Sequence, residues 1–450
     1  MKILHYFLGF PPYRTGGLTK YSFDLMKAQI DNGDAVLALW PGEIKSLGGK
    51  ADIRYRGQVD GIINCEMINP LPVSLDEGIK EVEAFTAACD ANVFFEFLEK
   101  ESPDAIHIHT LMGLYKEFVD AAKKLKIRMV FTTHDYFGIC PKVTMYKSQA
   151  ACDNDHACAD CVACNESALS LKKIQLMQSP LYRKMKNSTV VKALRKSHRS
   201  TFFAEEEMAA AGENVAVCQE AADKYQKLRK YYIDILSQID MIHFNSSVTE
   251  AVYTKYFKPI NSKIVSITHK DIVDRRQSES VESDILRISY LAPAKPFKGF
   301  SVLKKALDDL WESGNHSFEV KIFTPVENPS PYMKIKEDGY QYQELAQIFS
   351  ETDVLLAPSV WYETFGFTVL EALSYGVPVI VSDHVGAKDI VGDGGMVIPA
   401  GSAEDLMEAV RGLSTEKLTQ MKSSIRNMET FKSWDDFLKE NYALYVDDIV

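Results

Sequence analysis

The chain lacks a long hydrophobic run and an excess of positive charge. No apolar stretch approaches the about 18 residues that a membrane-spanning helix needs. The formal net charge of −11 argues against a general nucleic-acid-binding protein. The apolar start is too short for a secretory signal peptide, and it leads into Pro11 and Pro12 without a small-residue cleavage site. These absences predict a cytoplasmic protein that binds no nucleic acid.

The sequence also has no internal repeat and no low-complexity tract. Strand-like apolar runs alternate with helical patterns, and a polar stretch at 271–284 divides them into two sets. Such alternation predicts parallel sheets covered by helices on both faces, with a ligand beyond the carboxyl ends of the strands. The predicted strands are Ile3–Phe7, Ala35–Leu39, Ala105–His109, Met129–Thr133, Met241–Phe244, Ile264–Ile267, Leu286–Leu291, Phe318–Phe323, Val354–Ala357, Val379–Ser382 and Met396–Ile398.

These sets predict an α/β protein of two doubly wound parallel-sheet domains that face a cleft. We expect a first domain at 1–270, a second domain at 285–430 and a closing helix at 433–450 that returns to the first domain. The pattern fits many α/β proteins, so it predicts the fold class and leaves the function open.

Two carboxylates lie between two predicted strands of the second domain. Glu363 falls in a loop, and Glu371 falls on the helix face that should pack inward, where a charge needs a partner or a ligand. Eight helical residues rise about 12 Å, which is longer than the roughly 5–9.5 Å between glycoside hydrolase carboxylates. The helix start at Phe365 offers N–H groups that attract phosphate. The segment predicts that the two carboxylates contact separate parts of one long ligand. The alternative is an ordinary strand–loop–helix with one capping Glu.

The run Pro358-Ser-x-Trp-Tyr-Glu363-x-Phe-Gly366-x4-Glu371-Ala-Leu, followed by Gly376-Val-Pro378, resembles the Glu-x7-Glu signature of glycosyltransferase family four. That resemblance implies two Rossmann-like domains in the GT-B arrangement and a retaining nucleotide-sugar transferase of hexosyltransferase type. It implies that Glu363 contacts the donor sugar and acts in catalysis, and that Glu371 binds the ribose hydroxyls. The remaining donor-binding residues of this segment are then Thr364, Phe365, Gly366 and Phe367, the last three facing the diphosphate with their N–H groups.

Other positions extend the resemblance into the first domain. Gly16 and Gly17 form a glycine pair after the first strand, where the family has a loop that faces donor phosphate and acceptor. His134 follows the Met129–Thr133 strand in a Thr-His-Asp-Tyr pattern, and the resemblance implies that it bonds the donor sugar near the reacting carbon. His109 ends the preceding strand, so we expect it at the cleft, whereas His107 is expected to be a core histidine.

The second domain both follows and departs from the family pattern. Lys298, which precedes a glycine, matches the diphosphate-binding lysine. The usual Gly-Arg pair before it is missing, and Lys295 is a candidate replacement, although a lysine lacks the guanidinium fork. The family's usual Asn-Gly after the Ile264–Ile267 strand is replaced by His269 and Lys270. The resemblance implies no catalytic metal.

Cysteine is scarce except in one stretch, which holds five of the eight cysteines. The C-x2-C-x2-C spacing at Cys158, Cys161 and Cys164 is typical of metal ligands, and Cys140 and Cys152 lie nearby in the sequence. In a cytoplasmic protein, metal is favoured over a disulfide, and four thiolates would form a closed structural zinc site. An iron–sulfur cluster and free thiols remain alternatives. We expect such a site to stiffen a loop at 140–164.

Acidic residues are absent from 167–204, which forms part of a predicted basic helical insertion at 167–238. This stretch carries nine basic residues and spaced apolar residues, which predicts an amphipathic segment on an anionic membrane surface. The alternative is a solvated helix balanced by the acidic residues that follow. The basic residues are Lys172, Lys173, Arg183, Lys184, Lys186, Lys192, Arg195, Lys196 and Arg199.

Taken together, the sequence predicts a retaining glycosyltransferase of polysaccharide or glycan biosynthesis. Its expected partners are a nucleotide-diphosphate sugar and a glycan acceptor, lipid-linked where the protein is peripheral on the inner face of a membrane. Two alternatives stay open: a sugar-nucleotide epimerase of similar architecture, and a catalytically silent glycosyltransferase partner subunit.

Overall fold

The computed structural model describes residues 1–45, 49–147, 149–186, 188, 219–277, 283–429 and 431–446. Two parallel sheets organise these residues, and we call the parts built on them the first and second domains. Within the described residues, no helix is long and apolar enough to cross a membrane.

The first domain is built on an eight-stranded sheet of order β10-β9-β6-β5-β1-β2-β4-β3. All neighbouring strands are parallel except β3, which pairs antiparallel with β4 at one edge. A separate two-stranded ribbon pairs β7 with β8. The strands are β1 (Lys2–Tyr6), β2 (Ala35–Pro41), β3 (Asp52–Val59), β4 (Ile62–Ile68), β5 (Ala105–Ile108), β6 (Arg128–Thr132), β7 (Tyr146–Lys147), β8 (Ala150–Ala151), β9 (Met241–Phe244) and β10 (Ser262–Ile264).

Helices cover both faces of this sheet, as a buried parallel sheet requires. The helices are α1 (Gly17–Asp31), α2 (Asn92–Glu101), α3 (Lys116–Lys124), α4 (Ala159–Cys164), α5 (Leu171–Met177), α6 (Pro180–Met185), α7 (Gln219–Leu236) and α8 (Ser247–Tyr253), with a 3-10 turn at Val82–Phe85.

The second domain is built on a six-stranded parallel sheet of order β13-β12-β11-β14-β15-β16. Its strands are β11 (Leu286–Tyr290), β12 (Phe318–Ile322), β13 (Met333–Ile335), β14 (Val354–Ala357), β15 (Val379–Ser382) and β16 (Gly395–Ile398). Its helices are α9 (Phe300–Glu312), α10 (Leu345–Ser350), α11 (Phe367–Ser374), α12 (Ala403–Arg411) and α13 (Thr415–Arg426), with 3-10 turns at Pro296–Lys298, Tyr342–Glu344, Gly386–Ile390 and Gly392–Gly394. A last helix, α14 (Trp434–Ala443), follows.

The predicted strand at Ile264–Ile267 is wrong at its end. β10 stops at Ile264, and only the N–H of Val265 still bonds to the neighbouring strand, at Phe244 O. Ile267 lies instead in a buried cluster with residues of the second domain. The apolar run is therefore continuous because the chain passes from one core directly into the other.

One buried apolar cluster joins both domains and the last helix. Tyr21 and Leu25 from α1 pack there with Val369 and Leu370 from α11 and with Phe437 from α14. Burial of apolar side chains stabilises such contacts by roughly 1.5–3 kcal/mol for each fully buried large residue. The start of α11, where the Glu-x7-Glu segment lies, is thus held firmly against the first domain.

Candidate active site

Lys298 lies where its loop comes very close to the carboxyl end of β14. The next residue, Gly299, has a φ of 77°, and a Cβ there would lie 1.8 Å from the carbonyl oxygen of Pro358. Tyr290 donates a hydrogen bond from its hydroxyl to the carbonyl oxygen of Lys298 at 3.1 Å. Only glycine fits this approach, so the Lys298-Gly299 pair is required to bring the lysine to the strand end.

The ammonium group of Lys298 forms an ion pair with Glu363. Its Nζ lies 2.7 Å from Glu363 Oε1 and 4.7 Å from the centre of the Trp361 ring, and Ser359 donates to Glu363 Oε2 at 2.7 Å. Burial tends to raise the pKa of Glu363, but the charge and hydrogen bond of Lys298 outweigh it and hold that pKa below its usual range. A ligand that binds Lys298 through phosphate must therefore compete with Glu363.

Two helices begin at glycines that face each other across the cleft. Gly16 precedes α1 with a φ of 111° and Gly366 precedes α11 with a φ of 102°, and neither helix has a side-chain cap hydrogen bond. A Cβ on Gly17 would lie 3.4 Å from the ring of Phe367, so the two helix starts are close together. The positive ends of both helix dipoles converge there, which is a favourable setting for an anion.

Thr364 connects the two domains. Its hydroxyl donates to the backbone carbonyl of His134 at 3.2 Å, and its own carbonyl accepts from the hydroxyl of Ser246 at 2.7 Å. A Cβ on Gly386 would lie 2.3 Å from the Thr364 carbonyl oxygen. The sequence predicts Thr364 as a donor-binding residue, and the structure places its hydroxyl at the contact between the domains, beside His134.

His134 follows β6 and belongs to a row of neutral imidazoles. Its Nε2 lies 3.3 Å from Nδ1 of His109, and Nε2 of His109 lies 2.9 Å from Nδ1 of His5. Nε2 of His5 contacts Oε1 of Gln29 at 2.7 Å. Burial lowers the pKa of His134 to about 3 and that of His5 to about 4, so both rings are uncharged near neutral pH.

The row of imidazoles has a defined direction. Gln29 donates its amide N–H to the hydroxyl of Tyr445, which leaves its carbonyl to accept from His5 Nε2–H. Because a neutral imidazole has one donor and one acceptor, His109 then donates to His5 and His134 donates to His109. His134 therefore keeps an unprotonated Nδ1, which accepts hydrogen bonds.

The expectation that His109 reaches the cleft is wrong. His109 is fully buried, because His134, the next ring of the row, and the edge of the Tyr21 ring cover it. It is a positioning residue for His134. His107 is the core histidine that the sequence predicts, with its ring bonded to Thr132 and Tyr445.

Glu371 is buried in α11, as predicted. Its partner is His269, which is not among the predicted site residues. His269 Nε2 lies 3.7 Å from Glu371 Oε1, and the His269 ring packs edge-on against Phe367. His269 is 3% exposed, and its Nδ1 has no hydrogen-bond partner among the described residues. The one sequence signal for His269 is its position, since it replaces the family's usual Asn-Gly.

The predicted metal ligands are only partly brought together. Cys158 and Cys161 lie with Asp155 so that their ligand atoms are within 4.8 Å of one another. Cys140, Cys152 and Cys164 lie outside that group. The predicted loop includes position 148, which lies outside the described residues. Lys295 lies at the start of the 3-10 turn that carries Lys298.

Comparison with known proteins finds a family that the second domain resembles. The family described as "Glycosyl transferases group 1" matches residues 283–416, which include Lys298, Glu363 and Glu371. Residues 283–416 are therefore similar to group 1 glycosyltransferases. The resemblance to glycosyltransferase family four is thereby confirmed, and the match covers the second sheet and most of its helices.

Two curated relatives are similar to parts of this chain. A phosphatidyl-myo-inositol mannosyltransferase of Mycobacterium leprae is 24% identical over 42% of this chain and 60% of its own length. A sulfoquinovosyl transferase of Arabidopsis thaliana is 35% identical over 30% of each chain. The chain thus spans less than two thirds of the length of these curated relatives.

One similar solved structure is Alr3699/HepE of Anabaena in complex with UDP-glucose. It is 12% identical and superimposes with a TM-score of 0.55 over 99% of this chain and 98% of its own. At that identity the likeness concerns the fold alone. The predicted GT-B fold, with two Rossmann-like parallel-sheet domains, is confirmed.

Proposed function

We propose that this glycosyltransferase moves a sugar from a nucleotide-diphosphate sugar to a hydroxyl group of a glycan acceptor, with retention of configuration. The observation that carries the proposal is the Lys298–Glu363 ion pair at 2.7 Å, beside two glycine-capped helix starts. A diphosphate fits the positive end of both helices, and a sugar hydroxyl fits a carboxylate that the diphosphate has released from its lysine.

The geometry suggests an order of events in the site. As the donor binds, its diphosphate takes the charge of Lys298 and the N–H groups at the start of α11. Glu363 is then free to accept hydrogen bonds from the donor sugar, while the Nδ1 of His134 accepts another. Glu371, with His269 behind it, is left to accept from the ribose hydroxyls.

Retention is supported by the way the nearby carboxylates are used. With donor bound, Glu363 accepts from Ser359 and from the sugar hydroxyls, and Asp135 accepts from the N–H of Phe137 at 2.8 Å and from Thr110 at 3.3 Å. Neither is a free base for an inverting attack. We infer that the leaving phosphate takes the acceptor proton on the same face, with Lys298 and the helix dipole stabilising the developing charge.

A lipid-linked acceptor is favoured by one surface of the first domain. A groove of about 770 Å³ lies between α5, α6 and the loop after β4. Leu176, Leu181 and Met185 on these helices are at least half exposed. The name of the Mycobacterium leprae relative, phosphatidyl-myo-inositol mannosyltransferase, includes a lipid. We propose that this surface meets an anionic membrane that holds the acceptor.

Two of the predicted basic residues do not take part in such a surface. Arg183 pairs with the buried Glu66 at 2.7 Å and lies over the rings of Tyr13 and Trp40. Lys186 is 9% exposed and donates to the carbonyl oxygen of Tyr13 at 2.9 Å. For these two the membrane interpretation is wrong, because both side chains fix the loop before α1. Lys192, Arg195, Lys196 and Arg199 lie outside the described residues.

A thermal-shift screen over nucleotide-diphosphate sugars tests the proposal. A donor at about 100 times its dissociation constant should stabilise the protein by about 2.7 kcal/mol. Incubation of the best donor with short acceptors should then yield a retained glycosidic bond. Turnover of the donor alone to an epimer would favour the epimerase alternative. Donor binding without transfer to any glycan acceptor would favour the silent partner subunit.

A further inference from the structure

A small cavity of the first domain, which we call the α5–α6 cavity, lies between these two helices and the loop before α1. Its volume is about 80 Å³. It shares no lining residue with the groove of about 770 Å³, because the two use different faces of α5 and α6. Part of its wall is apolar and shields the interior from water. The apolar lining residues are Val73, Leu75, Leu169, Ile174 and Met177.

Gln178, the residue that follows α5, lines this cavity with an unsatisfied donor. Its side-chain carbonyl accepts from the N–H of Val73 at 2.8 Å, which fixes the orientation of the amide. Its Nε2 is buried and has no hydrogen-bond partner among the described residues, and the whole side chain is 4% exposed. A buried donor without an acceptor is costly, so this amide indicates an acceptor from outside the chain.

Ser74 lines the same cavity with a second unmatched group. It directly follows Val73, so it lies next to the contact that orients Gln178. It is 4% exposed, and its hydroxyl has no hydrogen-bond partner within the part of the chain that the structure describes. Most buried polar atoms in proteins are paired, so two unpaired atoms at one cavity indicate a ligand that accepts from both.

The α5–α6 cavity is positive, although the chain as a whole is strongly negative. Of its described lining residues, Arg14 and Lys186 are cationic and only Glu77 is anionic, which leaves one net positive charge against −11 for the chain. Lys186 is 9% exposed, and its Nζ lies 2.9 Å from the carbonyl oxygen of Tyr13 and 4.3 Å from the centre of the Tyr13 ring. A charge so shielded from water acts strongly on a bound anion.

The volume of the cavity decides between ligands that accept hydrogen bonds. A bound water needs about 10–15 Å³ of such volume, so the cavity holds about five to eight atoms of that size. A phosphate group fits this space and offers only acceptor oxygens and negative charge. A whole hexose ring is too large, and water alone would leave the positive charge unmatched.

The cavity adjoins both the donor cleft and the surface proposed to meet the membrane. Arg14 is two residues before Gly16, so their Cα atoms are at most about 7 Å apart, and Gly16 precedes the start of α1 that faces α11. On the outer side, α5 and α6 carry the exposed Leu176 and Leu181. A phosphate in the cavity is therefore well placed to position a molecule that reaches the donor sugar.

We propose that the α5–α6 cavity binds a phosphate ester through Gln178 Nε2, the hydroxyl of Ser74 and the positive charges of Arg14 and Lys186. Its role as the phosphate subsite of the acceptor rests on the proposed function, whereas the binding of the ester does not. No bond is made or broken in this cavity. The bound phosphate holds the acceptor so that one of its hydroxyl groups points toward the cleft.

Calorimetry with sn-glycerol 3-phosphate tests the cavity without any transfer reaction. The wild type should bind this ester and bind glycerol far more weakly. Gln178→Glu keeps the acceptor for the Val73 N–H but replaces the donor by a negative oxygen, so the affinity should fall by at least about tenfold. Gln175→Glu makes the same change at an exposed position of α5 and is the matched control, which should bind like the wild type.

A Lys298→Gln background separates the cavity from the donor cleft. It removes the lysine that we expect to hold the diphosphate, so the ester binding that persists belongs to the cavity. In that background, Ser74→Ala should weaken the ester severalfold without lowering Tm, because it removes an unpartnered buried hydroxyl. Loss of all ester binding in Lys298→Gln, or equal affinity in Gln178→Glu and its parent, would overturn the proposal and leave the cavity to water.

Vesicles distinguish a lipid head group from a soluble phosphate ester. Glycerol 3-phosphate should displace the protein from phosphatidylcholine vesicles that contain phosphatidic acid if the cavity serves a lipid. Sedimentation that the ester does not change would assign the cavity to a soluble phosphorylated acceptor. Ester binding without transfer to any acceptor would refute the proposed function and leave the cavity assignment intact. Transfer without ester binding would refute the cavity assignment alone.

Discussion

Replacing Glu363 by glutamine separates the two roles that the Lys298–Glu363 pair has in this structure. Before donor binds, the carboxylate neutralises a lysine that is only 16% exposed; after donor binds, it is expected to hold the sugar. Glutamine keeps the shape and the hydrogen bond from Ser359 but removes the charge. The variant should therefore unfold more easily, bind the bare nucleoside diphosphate at least as well as the wild type, and transfer sugar poorly.

The expected loss of stability follows from the burial of the pair. Removing one partner of a fully buried ion pair costs about 3–5 kcal/mol. The Glu363 side chain is 20% exposed and Lys298 keeps its contact with the Trp361 ring, so we expect about 2 kcal/mol. For a domain of this size that corresponds to a fall in Tm of about 4–8 °C. Glu351→Gln, which breaks the more exposed Glu351–Lys321 pair of the same domain, is the matched control and should cost less than about 1 kcal/mol.

The pH dependence has a definite sign. The pKa of Glu363 is lowered in the folded protein, so its contribution to stability is present above the pKa of an unfolded glutamate and is lost as pH falls through the folded pKa. The difference between wild type and Glu363→Gln should be full at pH 7 and shrink in acid.

Calorimetry with the nucleoside diphosphate of the best donor completes the test. Because Lys298 no longer pairs with a carboxylate, the variant should bind the nucleoside diphosphate as tightly as the wild type or up to about tenfold more tightly. A tenfold change corresponds to about 1.4 kcal/mol of binding free energy. The rate of transfer should fall by about a hundredfold, as for the loss of one contact to the reacting group. A variant as stable as Glu351→Gln, with weaker nucleoside diphosphate binding, would refute the competition between Glu363 and phosphate.

Three further predictions concern the surroundings of this pair. Glu371→Ala should weaken nucleotide binding by about 1.5–3 kcal/mol in calorimetry, because it removes charge-assisted hydrogen bonds; wild-type affinity would refute its role. Burial raises the pKa of Asp135 to about 6, so its ionisation costs stability as pH rises through that value. Asp135→Asn should therefore gain about 2 kcal/mol in denaturant unfolding at pH 7.5 and little at pH 4, and an equal effect at both would contradict this. Glutamine at six basic positions should abolish sedimentation with anionic vesicles but spare transfer to a short soluble acceptor, and equal sedimentation of the wild type with neutral vesicles would count against the electrostatic part. These positions are Lys172, Lys173, Lys184, Arg195, Lys196 and Arg199.

The fold was predictable from sequence wherever strands are buried on both faces. β1, β5, β9, β14 and β15 are short apolar runs whose bounds differ by at most a residue or so from those predicted. The β3–β4 edge was missed for a physical reason. β3 is largely exposed, and β4 carries the buried Glu66, which Arg56 and Arg183 neutralise, so neither strand shows a continuous apolar run.

Within the site, single positions were easier to predict than pairs. The helix start and the inward face of Glu371 follow from local spacing. The ion pair between Lys298 and Glu363 does not, because both residues suggest ligand contacts when each is considered alone. His269 stays hidden for a similar reason, since its partner lies about 100 residues away along the chain. Contacts between residues that lie far apart in the sequence have no periodic signature.

The row of imidazoles connects Tyr445, near the end of the chain, to the protonation of His134 in the cleft. Tyr445, just beyond α14, fixes the amide of Gln29, and that amide decides which nitrogen of each ring in the row carries hydrogen. Through the hydrogen bonds of the buried His5 and His109, this arrangement leaves the Nδ1 of His134 unprotonated. A chain that ended at 432 would leave Gln29 free to turn over. The Nδ1 of His134 would then be protonated in some molecules and unprotonated in others, although no residue of the cleft had been changed.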